Sequence, residues 1–353
     1  MIELLDDLER WRGEGVPVGR AVLIRTHGSA PRPDGAVLLA TADGRIAGSV
    51  SGGCVEASVV VDLAEARRTG RARVIGYGFS DEVARDAGLA CGGRIDVLVE
   101  PEVRPEIVTA ATARGRAVIT ALPAGDATSP AGVVVADDGT VEGSTGDAAV
   151  DRALVEAAQD ALELGRSRVV EVAARSFFVE AFARRPRLVI VGAVQVAIPL
   201  VSLAATMGYE TIVIDGRSAF ATAERFPGVD RLIVGWPDDV AAEIALGPSD
   251  SVAVLSHDPK FDEPAIVEAL RRGCRYVGAI GSRRTQAGRR TRLSTGGLAD
   301  TDLARLRGPI GLDLGGRDPA ETALAIMAEV VATRFGGSGA PLRDRQAASA
   351  EGP

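Results

Sequence analysis

Two segments in the first half of the chain repeat the same order of predicted elements. Copy one begins at Gly19 and copy two at Gly115, 96 positions later. The long helix of each copy ends at a glycine, Gly70 or Gly165, and these two lie 95 positions apart. Each copy is typical of strand, loop, strand, Asp-Gly hairpin turn, strand, helix and strand. We therefore predict one α+β domain of two related halves over residues 1–183. Chance similarity between two segments rich in Ala, Val and Gly is the alternative.

The two copies differ at one loop. Copy one has Ser51-Gly52-Gly53-Cys54 where copy two has Gly146-Asp147-Ala148-Ala149. The pattern predicts a helix start near Cys54 or Val55, with Glu56 in the first turn, and N–H groups at a helix start attract anions and stabilise a thiolate. We interpret this cysteine as functional. A small buried cysteine at a tight turn is the alternative.

Copy one and the residues after it contain further candidates. The loop Gly28–Ala36 is stiffened by two prolines, and its Ser29 and Arg32 suit a polar or anionic ligand, although a rigid turn explains the prolines equally well. Cys91 precedes two glycines and a predicted strand, Ile95–Val99. It is either functional or a cysteine at the start of a strand.

Strands and helices alternate in the second half of the chain, which predicts a doubly wound parallel sheet of the Rossmann type over residues 184–335. The fold class is thus α/β, with an α+β domain first and a Rossmann-like domain second. After a linker at Arg184–Arg187, the expected strands are Leu188–Val191, Thr211–Ile214, Arg231–Val234, Ser251–Leu255 and Tyr276–Ile280. The expected helices are Val196–Met207, Glu263–Arg272 and Pro319–Arg334, and a disordered tail is expected over 336–353.

The first strand of this half is followed by an incomplete dinucleotide fingerprint. Gly192 fits the turn glycine, Ala197 the small packing residue and Asp215 the acid that follows the next strand. The middle glycine of the fingerprint is replaced by Val194, whose side chain would obstruct a pyrophosphate. The fingerprint therefore supports the fold and weakens NAD(P) binding.

Other polar residues follow strands at the end of the sheet where ligands bind in this fold. His257 and Asp258 come after the fourth strand, with a helix-capping loop as the alternative interpretation. Gly281, Ser282, Arg283 and Arg284 come after the fifth, and arginines at a helix start favour a phosphate or carboxylate site. The arginines that follow are expected to form a solvated helix face: Arg289, Arg290 and Arg292.

Charge and cysteine content restrict the class of protein. The formal net charge of −8 argues against broad nucleic-acid or anionic-membrane binding. Three cysteines are too few for a disulfide framework, so we expect the reducing cytoplasm, with Cys274 structural. The acidic start of the chain and the lack of a run of about 18 apolar residues argue against a signal peptide or a membrane span.

Several long motifs resemble the XdhC/CoxI family, whose members are accessory proteins of xanthine dehydrogenase and aerobic carbon monoxide dehydrogenase. The similarity covers about residues 10–334. It is carried by the motifs GSAPRPDGAVLLATADGRIAGSVSGGCVEAS, LACGGRIDVLVEP, LSHDPKFDEPAI, YVGAIGSRRTQAGRR and RGPIGLDLGGRDPAETALAIMAEV. Many members read VGAGHVA where this chain reads VGAVQVA, so Val194 and Gln195 depart from the pattern and put the nucleotide site in doubt.

The resemblance implies a function in the maturation of molybdenum hydroxylases. Family members are thought to bind the molybdenum cofactor (molybdopterin), to support its sulfuration with a cysteine desulfurase and to deliver it to the client enzyme. Matching the motifs transfers the family's cysteines to Cys54 and Cys91, and Cys54 is the expected metal ligand. The phosphate of the pterin would need an anion site, offered by Gly281–Arg284 or by the helix start after Gly53, in a cleft between the domains.

Our hypothesis from the sequence is therefore a maturation factor that binds and transfers the cofactor rather than an enzyme that turns over a substrate. The expected partners are a molybdenum hydroxylase, a cysteine desulfurase and a second copy of the chain in a dimer. Two alternatives remain open. Gly192 and Asp215 favour an NAD(P)-dependent oxidoreductase, and a nucleotide-responsive regulator without catalysis is the other.

Overall fold

A computed structural model describes residues 1–28, 32–78, 93–123 and 132–344, without the side chains of residues 238, 241 and 242. The chain divides into two compact units, Met1–Arg184 and Arg185–Pro353, called unit 1 and unit 2 below. Unit 1 contains antiparallel sheets and unit 2 a parallel sheet, which confirms the predicted fold class.

Unit 1 consists of two five-stranded antiparallel sheets with helices. The helices in its described residues are a 3₁₀ turn at Ile2–Leu4, α1 (Leu5–Gly13), α2 (Glu56–Thr69), α3 (Pro105–Ala113) and α4 (Ala148–Leu164). Sheet 1 contains β1 (Val18–His27), β2 (Val37–Thr41), β3 (Ile46–Gly48), β4 (Arg73–Gly78) and β5 (Arg94–Glu100). Sheet 2 contains β6 (Arg116–Ala121), β7 (Val133–Ala136), β8 (Val141–Glu142), β9 (Arg168–Val172) and β10 (Arg175–Phe182).

The repeat in the sequence is a repeat in the structure. Sheet 1 has the order β3-β2-β1-β5-β4 and sheet 2 the equivalent order β8-β7-β6-β10-β9. Helices α2 and α4 occupy equivalent places and end at Gly70 and Gly165, both left-handed with φ of 68° and 67°. A left-handed residue after a helix favours glycine, which has no Cβ, and this explains the spacing of the two glycines.

The two sheets pack face to face between two helices. Alternate residues of β1, such as Val22 and Ile24, face a shared core that includes Phe178 of sheet 2 and Trp11 of α1. The other face of sheet 1 packs against α2, and the other face of sheet 2 against α4. Successive side chains of a strand point to opposite faces, so the continuous buried runs of β1 and β2 show that both faces of these strands are covered.

A buried ionic cluster interrupts this shared core. Arg20 of β1 is fully buried and ion-pairs with Glu100 of sheet 1 and Glu180 of sheet 2. Arg104 binds Glu100 at 3.0 Å and Thr120 at 2.5 Å, which extends the cluster to β6. Both carboxylates are therefore paired despite burial, as buried charges must be.

Unit 2 is built around a six-stranded parallel sheet of order β13-β12-β11-β14-β15-β16. The strands are β11 (Arg187–Val191), β12 (Glu210–Asp215), β13 (Arg231–Val234), β14 (Ser251–Val254), β15 (Tyr276–Ala279) and β16 (Leu306–Arg307). The helices are α5 (Ala197–Thr206), α6 (Pro237–Ile244), α7 (Pro259–Arg271), α8 (Arg283–Thr295), α9 (Asp300–Arg305), α10 (Pro319–Phe335) and a 3₁₀ turn at Leu342–Asp344. The strand order reverses between β11 and β14, the point where such sheets bind ligands.

Most sequence-based boundaries in unit 2 agree with these elements within one residue, with three exceptions. Helix α7 begins four residues before the expected Glu263, because Asp258 caps it. The expected linker is partly ordered, since Arg187 opens β11 and Arg185 ion-pairs with Asp230. The expected disordered tail includes the 3₁₀ turn at Leu342–Asp344, and its last residues, 345–353, lie outside the described part of the chain.

Candidate functional site

Three connections of copy one begin or end at the same end of sheet 1. There β1 ends at His27, which pairs with Arg94 at the start of β5, and Arg94 pairs with Gly78 at the end of β4. At the same end, on the other side of β1 in the sheet, β2 begins at Val37 and β3 ends at Gly48. The antiparallel order therefore brings together the ends of the loops that carry the sequence motifs. Two candidates in these loops, Ser29 and Cys91, lie outside the described residues.

The loop that carries Cys54 is organised by the carboxylate of Glu56. This carboxylate accepts hydrogen bonds from the backbone N–H groups of Ser51 at 2.9 Å, Gly53 at 3.0 Å and Val55 at 3.1 Å. The hydroxyls of Ser49 and Ser51 donate to it at 2.6 Å. Burial alone raises the pKa of Glu56, but these hydrogen bonds outweigh it and lower the pKa to about 2.

Glu56 changes the interpretation of the helix start. Its carboxylate occupies the N–H groups of Gly53 and Val55, and the hydroxyl of Ser51 accepts from the N–H of Cys54 at 3.0 Å. The expectation that these donors face an external anion and a cysteine thiolate is therefore wrong, because the chain's own acceptors already satisfy them. Glu56 lies in the first turn as expected, where it orders the loop.

The thiol of Cys54 is exposed, so the alternative of a small buried cysteine is wrong. Gly52 and Gly53 have φ of 82° and 116°, a region that favours glycine, and a Cβ on Gly53 would meet nothing within 4 Å. Cys274, in contrast, is buried, and burial raises its pKa to about 12. Cys274 is structural, as expected, and Cys54 is open to reagents and partners.

The loop before β2 lies next to residues that the sequence analysis missed. A Cβ on Gly28 would lie 3.7 Å from the Cα of Gly93, so this loop meets the end of the Cys91 segment. His27 Nε2 lies 2.9 Å from Asp96 Oδ2 across the two strands. Arg32 is exposed on the wall of a cavity of about 410 Å³. The alternation of polar and apolar residues along β5 is the sequence signal that indicates the position of Asp96 on this strand.

Copy two contains an equivalent carboxylate that organises its loop, but no cysteine. Asp151 accepts hydrogen bonds from the hydroxyls of Ser144 and Thr145, both at 2.6 Å, as Glu56 does in copy one. A second difference is the connection between the last two strands. In copy two it is the pair Ala173-Ala174, with φ of 50° and 57°, whereas in copy one it spans 79–93 and contains Cys91. Both differences thus lie in connections that begin or end at the same end of sheet 1.

In unit 2, Gly192 and Asp215 are fixed by contacts within the protein. A Cβ on Gly192, which has φ of 109°, would lie 2.9 Å from the backbone nitrogen of Ser256, so only glycine fits between β11 and β14. Asp215 is buried and accepts from the N–H of Ala193 at 2.8 Å and from the Arg217 guanidinium at 2.8 and 2.9 Å. Its oxygens are therefore engaged where a dinucleotide ribose would need them.

Of the residues after β14, Asp258 caps a helix and Ser256 belongs to a buried hydrogen-bond network. Asp258 caps α7 by accepting from the N–H of Lys260 at 3.0 Å, so the capping interpretation holds for it. His257 is exposed on the wall of a crevice at the end of the sheet. Below it, Ser256 donates to buried Asp262, which pairs with Arg289 at 2.9 Å.

Arg289 corrects an expectation. The sequence predicts a place on a solvated helix face, but its side chain is 3% exposed and paired with Asp262. Arg290 likewise donates to the carbonyls of Leu303 and Leu306, and only Arg292 lies on the surface, with Glu263. Burial raises the pKa of Asp262 to about 6, although Ser256 and Arg289 oppose the shift.

The Gly281–Arg284 segment lies after β15, as expected. Ser282 caps α8 by accepting from the N–H of Thr285 at 3.2 Å, and Gly281 has φ of 132°. Arg283 and Arg284 are exposed in the first turn of the helix. Buried Gln286 donates to the carbonyls of Ala279 and Ile280 and holds the end of β15.

Family models match both units of the chain. Residues 11–78 match the model described as the XdhC and CoxI family, and residues 188–330 match the XdhC Rossmann domain. The chain belongs to the XdhC/CoxI family. The first match contains the Cys54 loop, and the second contains Gly192, Asp215 and His257. Within the described residues, no helix has the length and apolar character needed to cross a membrane.

Relatives and a solved structure extend these matches. The chain is 28% identical to a protein of Bacillus subtilis named as a probable xanthine dehydrogenase subunit, over 89% of this chain and 92% of that protein. It is 27% identical to the molybdenum cofactor insertion chaperone PaoD of Escherichia coli, over 89% and 82%. The fold matches the crystal structure of a xanthine dehydrogenase from Bacillus halodurans with a TM-score of 0.69 and 24% identity, over 99% and 97% of the two chains.

Proposed function

We propose that this protein binds the molybdenum cofactor, supports its sulfuration and delivers it to a molybdenum hydroxylase of the xanthine or carbon monoxide dehydrogenase type. Membership of the XdhC/CoxI family supports an accessory function in maturation, as does the relative named a cofactor insertion chaperone. The observation that carries the proposal is the exposed thiol of Cys54 on a loop held by Glu56.

One residue of this loop, Cys54, suits the metal of the cofactor. The cofactor would hold its metal through the two sulfurs of a dithiolene, and a thiolate would add a further sulfur ligand of the same kind. Within the described part of the chain, no three His, Cys, Asp or Glu side chains form a group that would hold a metal ion. Cys54 would thus add one sulfur ligand to the molybdenum, which the dithiolene of the cofactor already binds. The open space around Gly53 leaves room for a ligand to approach.

Cys54 is also suited to sulfur transfer. A cysteine desulfurase supplies a persulfide, and the Cys54 thiolate attacks its outer sulfur. The new S–S bond forms on Cys54 while the old one breaks, and the desulfurase cysteine leaves as a thiolate, so that atoms and electrons balance. Glu56 and Ser51 keep the backbone on both sides of Cys54 in place during this exchange.

An NAD(P)-dependent oxidoreductase receives less support from the geometry. Asp215 is buried and bound by Ala193 and Arg217, and Val194 occupies the place of the middle glycine. A cytoplasmic location and a dimer remain proposals that accompany the main one.

Cofactor retention after co-expression with a molybdenum hydroxylase tests the proposal. The full chain is purified, and pterin fluorescence after oxidation is measured together with bound molybdenum. We expect Cys54→Ala to lose most of both signals. Ser58→Ala, a change at an exposed position in the first turn of α2, is the matched control and should retain both signals. Equal retention by the Cys54→Ala and wild-type proteins would count against the proposal.

A further inference from the structure

Beside the crevice that His257 lines, unit 2 has an open surface groove of about 740 Å³. Its walls are one face of α7, from Lys260 to Arg272 at the helix end, the start of α6 at Pro237 and the end of α8 at Leu293. At about 1.5 Å per helical residue the α7 wall is about 18 Å long, which accommodates about five residues of an extended peptide at about 3.3 Å each. The groove therefore has the dimensions of a site for a short segment of chain.

Apolar side chains line the groove along its length. Pro264 and Val267 lie in the middle of the α7 wall, Leu293 lies opposite on α8, and Pro237 and Pro259 lie at one end. Apolar surface is removed from water at such a place only when another molecule covers it. The lining thus offers a contact surface to a large apolar side chain of a partner.

One positive charge in the lining has no partner. Four of its five charged side chains form two ion pairs, Glu263 with Arg292 and Glu268 with Arg272. Lys260 is exposed, and its ammonium group forms no ion pair with any described residue. Asp239 and Asp258 lie within two residues of the lining but outside it, and Asp258 is engaged as the cap of α7. The unpaired charge of Lys260 favours an occupant with a carboxylate.

Pro264 leaves a backbone acceptor on the same wall. In an α-helix the carbonyl of Lys260 would accept from the N–H of residue 264, but proline has no N–H. Proline beyond the first turn weakens a helix, so helix stability does not explain this residue. An occupant can supply the missing donor where its own N–H groups are free, and most N–H groups of a helix are bonded internally. Pro264 thus favours an extended occupant over a helical one.

We propose that this groove binds an extended peptide segment of a partner protein in which an acidic side chain lies next to a large apolar one. The carboxylate pairs with Lys260, the apolar side chain packs on Val267 and Leu293, and a peptide N–H donates to the carbonyl of Lys260. This inference goes beyond the function proposed above and does not depend on Cys54. The Cys54→Ala protein should therefore bind the same peptides as the wild type.

Selection of random seven-residue peptides, displayed on phage, against the full chain tests the proposal. We expect the selected sequences to share an aspartate or glutamate beside a large apolar residue. In fluorescence anisotropy the synthetic peptide of the most enriched sequence should bind, and replacing its acid by the amide should weaken binding about ten-fold. A selection without acidic residues, or no peptide that binds at about 1 mM, overturns the proposal.

The position of the bound peptide can be tested at a single amine. Lys260 is the only lysine among the 40 Lys and Arg residues of the chain. Its acetylation by an N-hydroxysuccinimide ester is followed by mass spectrometry of the fragment that contains it, and the bound peptide should slow this reaction about ten-fold. Unchanged acetylation would place the peptide elsewhere and overturn the assignment.

Variants separate recognition from folding. Lys260→Glu should weaken binding of the acidic peptide about ten-fold, and a peptide with lysine in place of its acid should recover most of the loss. Pro264→Ala restores the helical N–H, so it should raise the urea midpoint of unfolding and yet weaken peptide binding several-fold, a combination that a merely structural effect would not produce. Arg271→Gln removes an exposed charge of α7 outside the groove and should change nothing. Unchanged binding in Lys260→Glu or Pro264→Ala contradicts the contact assigned to that residue.

Discussion

Arg20 and Glu180 join the two sheets of unit 1 through a buried ion pair. Arg20 lies on β1 of copy one and Glu180 on β10 of copy two, and neither side chain is more than 4% exposed. The same guanidinium also binds Glu100 of its own sheet. One side chain thus bridges the two copies in the middle of an otherwise apolar core.

Replacing Arg20 by alanine should strongly destabilise unit 1. The change leaves the carboxylates of Glu100 and Glu180 buried without their main cation, and breaking a buried pair in this way costs about 3–5 kcal/mol. The free energy of unfolding from urea titration measures the loss. Arg25→Ala on the same strand is the control, because its pair with Glu171 is exposed and is worth less than about 1 kcal/mol. Similar small losses in both variants would show that the cluster adds little.

Replacing Glu56 by glutamine should remove a pH-dependent part of the stability. The pKa of Glu56 in the folded protein is about 2, below the ordinary 4.5, so its contribution is present above pH 4.5 and is lost as pH falls toward 2. The difference in free energy of unfolding between wild type and Glu56→Gln should therefore shrink over this range. Urea titrations at several pH values measure it, and a constant difference would contradict the assignment.

The same substitution should also change the reactivity of Cys54. In Glu56→Gln the negative charge next to the loop is gone, and one of the two acceptor oxygens is replaced by an NH₂ donor, so the hydrogen bonds from the N–H groups on both sides of Cys54 are weakened. We expect its alkylation by iodoacetamide, followed by mass spectrometry of the Cys54 peptide, to accelerate several-fold. Asp151→Asn removes the equivalent carboxylate of copy two and is the matched control. An equal acceleration in both variants would mean that the effect is not local.

Asp262 should have the opposite pH dependence. Its folded pKa of about 6 lies above the ordinary 3.8, so its contribution to stability is full below pH 3.8 and is lost as pH rises through 6. Asp262→Asn cannot titrate, and the wild type should lose stability relative to it between about pH 4 and 6.5. Glu268→Gln, a surface change on the same helix, is the control. A wild type that gains stability over this interval would show that Arg289 outweighs burial.

Residue patterns were sufficient to predict the architecture. The spacing of Gly70 and Gly165 indicated the two related copies in unit 1. Each glycine follows the end of a helix in a left-handed conformation, which favours glycine in both copies. The alternation of apolar strands and helices in unit 2 predicted the parallel sheet, because both faces of such strands are buried. The exposed Cys54 loop was located by comparing the copies, since a shared scaffold makes a local difference visible.

Long-range contacts could not be predicted in the same way. Arg289 lies in a run of arginines that is typical of a solvated face. Its burial is explained by its pairing with Asp262, 27 positions earlier, and by its hydrogen bonds to Ile280 and Gln286. Arg20 lies in an apolar strand, but its partner Glu180 is 160 positions away. Glu56 was expected to favour the helix start, and its many loop contacts depend on the backbone path through Gly52 and Gly53. Spacing alone does not specify such pairs.

The hydrogen bonds of the Glu56 carboxylate have a consequence for the proposed function. Because this side chain satisfies the loop's own N–H groups, the backbone around Cys54 does not need a bound molecule to keep its shape. Loading and release then require little ordering or disordering of the chain, and the entropic cost that accompanies coupled folding is avoided. Under the proposed function, transfer of the cofactor would therefore not require the Cys54 loop to unfold.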